Sequence, residues 1–175
     1  VEITADLEPL RERYPWRVIA TGPGHGIQLA SGRLIVPVWM STGNTNEFGA
    51  GKLGHRPSDV ASICSDDGGT TWHCGVTVVA DGEAVDDEIV RNPSETVPVE
   101  LGDGRVLFNL RSESTVKRRL IAVSPDGAGD WTGKRWDDAL PEPVCMGSIV
   151  RVGDAIVFAN PDNLENDLIQ GDGHL

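Results

Sequence analysis

Hydrophobic positions along this chain come in short runs broken by turn residues instead of recurring every three or four residues. LIVPVWM, VTVV, VLFNL, RLIAV, SIVRV and AIVF are short apolar runs, each followed closely by Gly, Asn, Asp, Ser or Pro. Short apolar runs bounded by turn residues read as β-strands. The expected strands cover residues 26–29, 33–40, 59–64, 72–79, 96–101, 105–111, 118–123, 146–152 and 155–158. Helical spacing is confined to residues 7–14 and 162–169, and a long Gly/Asn-rich connection occupies 41–56. No apolar run approaches the roughly 20 residues that a membrane span needs, so none is expected.

The connection SDDGGTTW at 65–72 sits between two of these strands. Its glycines supply positive φ, its aspartates can accept backbone N–H bonds, and Trp72 is expected to fold over the turn. A second version, SPDGAGDW, follows at 124–131. A hairpin pattern recurs as well: IQLASGRLIVPVW at 27–39, VELGDGRVLFNLR at 99–111 and SIVRVGDAIVFAN at 148–160. Short strands repeating with a signature turn point to an all-β protein built as a β-propeller, with an all-β sandwich as the alternative. The chain accommodates roughly three blades at four strands each, which do not close a ring, so the rest of a propeller or self-association is expected. On this reading the repeated turns are structural, and Asp66, Asp67 and Asp126 carry no chemistry.

Composition narrows the function. The 175 residues include 21 Gly and 11 Pro, which suits a turn-rich β protein. A net charge of −12 leaves no basic stripe for phosphates, so no nucleic-acid partner is expected. Cys64, Cys74 and Cys145 do not form a disulfide framework, and reduced thiols are expected over a Cys64–Cys74 bridge across the turn. No metal-ligand spacing is present. GPGHG precedes a strand rather than a helix, which argues against a dinucleotide loop. No cofactor is expected. The opening VEITADLEPL has neither Met nor a basic-then-apolar leader, which reads as a processed chain or a fragment.

SDDGGTTW fits the Asp-box pattern S-x-D-x-G-x-T-W, and SPDGAGDW is a degenerate copy. With these boxes the chain resembles the sialidase (neuraminidase) family, exo-α-sialidases whose six-bladed propellers carry BNR repeats. TGPGHGIQLASGRLIVPVW (21–39), NPSETVPVELGDGRVLFNLR (92–111), EPVCMGSIVR (142–151) and FANPDN (158–163) extend the likeness, in order, over essentially the whole chain. The resemblance implies one partial propeller domain over 1–175. It also implies a retaining glycosidase with a tyrosine nucleophile assisted by a glutamate, an aspartate acid/base and three arginines on the sugar carboxylate.

Carried over position by position, Glu95 corresponds to that glutamate and Arg111 to the second arginine. The only tyrosine, Tyr14, matches no nucleophile motif, and no Arg follows Arg151. The resemblance therefore implies an internal portion, about half, of a sialidase acting on a sialylated glycan, secreted or periplasmic. Bland readings remain open. Glu95 is otherwise a solvated strand-start residue, and Arg111 a surface partner of Glu113. His25 lines the pocket or is a turn histidine. Glu47, His55 and Asp59 are expected in a solvated loop, and neither Arg118 nor Arg119 earns a role. A non-catalytic glycan-binding module and a structural propeller unit are the competing functions.

Overall fold

A computed structural model describes residues 2–45 and 47–164. The chain opens with helix α1 (Thr4–Arg13), three residues earlier than its apolar spacing suggests. It continues through β1 (Val18–Ala20), β2 (Ile27–Gln28), β3 (Leu34–Ser41), β4 (Ser58–Ser65) and β5 (His73–Val79). The small hairpin β6 (Ala84–Val85) and β7 (Glu88–Ile89) follows. Then come β8 (Thr96–Glu100), β9 (Val106–Leu110), β10 (Arg118–Ser124), β11 (Thr132–Pro141), β12 (Ser148–Val152) and β13 (Ala155–Ala159). The helix expected over 162–169 lies largely outside the described residues.

Two antiparallel meanders dominate. The first runs β1-β3-β4-β5 with β2 also on β3, and the second runs β8-β9-β10-β11. β1 and β2 pair with the same edge of β3 at its two ends, through Ala20↔Trp39 and Ile27↔Ile35. Pro37 falls in the gap between them, where its missing N–H costs no ladder bond on that side. The third unit is the β12–β13 hairpin.

Period-two patterning sends the residues of each strand to two different interfaces. Ile35, Val60 and Cys64 of the first sheet meet Val106, Phe108, Leu110, Leu120 and Ala122 of the second. From the same strands Val38, Met40, Ala61 and Ile63 point the other way, onto Leu10 of α1 and Trp16. The second sheet's far face, through Val97 and Val99, covers Ile149 of β12. The layers therefore stack in chain order as helix, sheet, sheet, hairpin. β12 and β13 bury little: Val150 is 54% and Val152 61% exposed, against 0% for Val60 and Phe108.

Each repeated turn joins the third and fourth strands of its sheet. In the first, Asp67 accepts from the Thr70 and Thr71 amides at 3.0 and 2.9 Å and from the Thr71 hydroxyl at 2.7 Å. Those bonds, led by the Thr71 amide, hold its carboxyl down at about 2. Gly68 and Gly69 have φ of 71° and 91°, and Trp72 Nε1 donates to the Gly69 carbonyl at 3.1 Å. In the second turn Asp126 accepts from the Ala128 and Gly129 amides at 2.9 and 3.2 Å. Arg33 ties the two turns together, with Nε 2.6 Å from Asp66 and Nη1 2.8 Å from Asp126. Ser62 donates to the Gly127 carbonyl at 2.7 Å, and the Val76 amide to Ala128 at 2.8 Å, so the second turn also seals the contact between sheets.

Cys64, Cys74 and Cys145 are free thiols. Cys64 pairs with His73 and Cys74 with Ile63, so the two cysteines are not directly opposed across the turn.

Candidate functional site

The ladder between β8 and β9 runs one step past both strands. The Arg111 amide donates to the Glu95 carbonyl at 3.0 Å, and the Ser94 amide to the Arg111 carbonyl at 3.0 Å. One tight turn at 102–104 thus returns Arg111 to the rim where Glu95 begins the strand. Their side chains meet there, with Arg111 Nε 3.6 Å from Glu95 Oε2. Both border a cavity of about 130 Å³, together with Trp39, Glu47, His55, Arg56, Ser58, Asn92, Ser94 and Glu113.

Arg111 is held but not saturated. Nη1 donates to the Ser94 hydroxyl at 2.6 Å, Nη2 lies 3.9 Å from Glu113, and the buried Nε has no hydrogen-bond acceptor among the described residues. A buried N–H without an acceptor is costly unless a ligand supplies one. Such a planar cationic fork is matched to a carboxylate.

The opposite wall is a closed ion-pair chain. Arg56 grips Glu113 with both prongs, Nε–Oε2 at 2.7 Å and Nη2–Oε1 at 2.8 Å, and its Nη1 bonds Glu47. Asn92 Nδ2 adds a bond to Glu113 Oε2 at 2.8 Å. Burial would raise Glu47, but the His55 amide, the Thr45 hydroxyl and the Arg56 charge together hold it below the usual carboxylate range. The Glu113 bonds push Arg56 above the ordinary arginine range. His55 packs edge-on against Trp39 and Phe48, at 5.4 and 4.8 Å between centroids. Trp39 is itself fixed by its Nε1 bond to Gly22 O at 2.8 Å.

The structure brings Glu95 and Arg111 together and leaves His25 elsewhere. Its Nε2 lies 3.1 Å from the Ile149 carbonyl and its Nδ1 3.2 Å from that of Gly26, in a separate groove with Ile27, Pro98 and Arg151. Tyr14 is also away from the cavity. Its hydroxyl donates to the Pro57 carbonyl at 2.8 Å, and burial beside Asp59 pushes it up to about 12, the reverse of an activated phenol. Glu47 and His55, expected in a solvated loop, line the cavity instead, and Asp59 is buried against the Asp81 amide at 2.8 Å. Arg56 had no sequence signal, because a Gly/Asn-rich loop has no period that fixes where it lands.

Behind this rim Arg119 is fully buried. It bonds Asn109 Oδ1 and Glu142 Oε2, both at 2.6 Å, and the Cys145 carbonyl at 3.0 Å, anchoring the chain that enters β12. Burial disfavours both charges, pushing Arg119 down and Glu142 up, and their mutual attraction opposes it.

The BNR repeat-like domain model matches residues 6–170. A sialidase of Micromonospora viridifaciens is 35% identical over 153 residues, covering 85% of this chain and 20% of that protein. Mouse sialidase-4 is 43% identical over 139 residues, covering 77% and 26%. Among solved structures, the Hadza microbial sialidase Hz136 superposes with a TM-score of 0.59 at 22% identity, over 85% of this chain and 26% of that one. A Trypanosoma rangeli sialidase superposes at 0.57 and 21%, over 86% and 22%. These likenesses carry the β-propeller fold, of which this chain is an unclosed part. The chain spans between 20% and 31% of the curated relatives it matches, less than the half its motifs suggest.

Proposed function

Because this chain belongs to the BNR repeat-like domain family, we propose that the cavity at Glu95 and Arg111 is part of the sialic acid site of an exo-α-sialidase. The observation that carries this is the under-coordinated Arg111 fork beside Glu95. Arg111 anchors the carboxylate of a terminal sialic acid by charge-assisted, bidentate bonds, which lets an acidic protein bind an acidic sugar. Glu95 plays the part of the carboxylate that tunes a tyrosine nucleophile. A phenol with a pKa of about 10 attacks poorly until a neighbouring base takes its proton. A T. rangeli sialidase has been solved with 2,3-difluorosialic acid as a covalent intermediate, which is in keeping with a nucleophilic mechanism.

The test is hydrolysis of a fluorogenic α-sialoside by this chain joined to propeller segments that supply a tyrosine nucleophile, and by the Arg111→Ala and Glu95→Gln variants of that protein. Each variant is expected to lose about 10²-fold or more in kcat/KM, the scale of removing one electrostatic anchor. Hydrolysis at the parent rate in both would overturn the proposal. Binding of sialosides without hydrolysis would move the assignment to a glycan-binding module.

A further inference from the structure

Glu113 stands between two arginines and is bonded to only one. Arg56 takes both of its oxygens, at 2.7 and 2.8 Å, and Asn92 takes Oε2 again at 2.8 Å. Arg111 Nη2 is 3.9 Å from Oε1, about 1 Å too far for a hydrogen bond. On its side of the gap Arg111 has an unbonded Nε and a single short contact, to Ser94. If Arg56 were absent, Glu113 would keep the single Asn92 bond and face Arg111 as its nearest cation. A small shift would then pair them, and the fork would be filled from within.

We propose that Arg56 is a positioning residue that holds Glu113 away from Arg111 and so keeps the Arg111 fork open for an external carboxylate. Arg56 need not touch the ligand. Its third contact, to Glu47, couples this function to the 42–57 connection, so the loop is docked by the same guanidinium that restrains Glu113. The inference rests on the sialic acid reading for the identity of the ligand, but not for the internal competition between the two arginines.

Two measurements separate these layers. In the ligand-free chain, the guanidinium 15N–1H signals of Arg111, assigned through Arg111→Gln, are compared in wild type, Arg56→Gln and Arg56→Gln/Glu113→Gln. A shift in Arg56→Gln that reverts in the double variant is expected; signals that do not move in Arg56→Gln overturn the inference whatever the ligand. In parallel, N-acetylneuraminate is titrated into wild type, both single variants and the double. Arg56→Gln is expected to weaken binding about tenfold or more, and adding Glu113→Gln to restore it to within about threefold of wild type. Simple loss of a positive charge predicts instead that the two changes act independently. The same independence would overturn the positioning role. Arg56→Lys keeps the charge but not the fork, so it too is expected to weaken binding, whereas wild-type affinity in it contradicts the proposal. No wild-type binding alongside a reverting Arg111 signal would reject the sialic acid reading and leave the positioning role standing.

Discussion

Arg119 and Arg111 lie in the same sheet, each with glutamate partners, and they have opposite surroundings. Arg119 is 0% exposed and Glu142 1%, and its bonds run to a carboxylate, a side-chain amide and two backbone carbonyls. Nothing is left for a ligand to supply. The Arg111 side chain is 17% exposed, and among the described residues its guanidinium has one short bond and a buried Nε with no acceptor. The same functional group is therefore a structural brace in one place and, in the proposed function, an open receptor in the other. What separates them is how completely the protein itself coordinates the guanidinium.

The largest effect should come from breaking the brace. Arg119→Met leaves Glu142 buried without its cation and is expected to cost about 3–5 kcal/mol, read as a loss of the urea midpoint. The double variant Arg119→Met/Glu142→Leu should recover most of that, because the uncompensated charge is removed with its partner. A single variant as stable as wild type would mean that the brace is not one.

A smaller effect is expected at the open site. Ser94→Ala removes the only short bond that the Arg111 guanidinium makes among the described residues, and should weaken carboxylate binding roughly three- to tenfold while changing stability by about 1 kcal/mol or less. An equal loss of stability at both arginines would erase the contrast.

Asp59 gives the smallest effect, as a buried carboxylate whose electrostatic neighbours are two more acids. Burial first, and then the charges of Asp81 and Glu83, push it up to about 6 despite the Asp81 amide bond. Its folded pKa is thus above the unfolded value, so the native state binds the extra proton between about pH 4 and 6. Stability is fully present below that window and is lost as pH rises through about 6. Asp59→Asn should therefore stabilise the chain at pH 7 by on the order of 1 kcal/mol, allowing for partial solvation, and give no advantage at pH 4. Thermal melts at both pH values check this, and a gain that is the same at both would refute it.

How legible each part was in the sequence follows from the same physics. β3, β4, β8, β9 and β10 stand out because both of their faces are buried and their residues alternate between two interfaces. β11 was missed because it is the outer strand: TGKRWDDALP buries only Trp136 fully, so no alternation survives. β1 spans three residues, and β6–β7 turns on Asp86 and Asp87 at φ of 49° and 65°, a conformation usually signalled by Gly or Asn. Within the site, Glu95 and Arg111 were legible as a pair because one hairpin with a two-glycine turn joins them. Arg56 and Glu47 were not, since a long irregular loop delivers them, and Glu113 was visible only as a surface partner of Arg111. His25 shows the limit of a glycine-flanked histidine as a signal: its neighbours are backbone carbonyls in another groove.

The most direct test is carboxylate-dependent binding at Arg111. N-acetylneuraminate and its methyl ester, which lacks the charge, are titrated into wild type and Arg111→Gln, with backbone amides at Glu95 and Arg111 as reporters. The prediction is saturable shifts with the acid in wild type, and at least tenfold weaker binding for both the ester in wild type and the acid in Arg111→Gln. Equal binding of acid and ester, or binding unchanged in Arg111→Gln, would contradict the assignment of Arg111 as the open receptor.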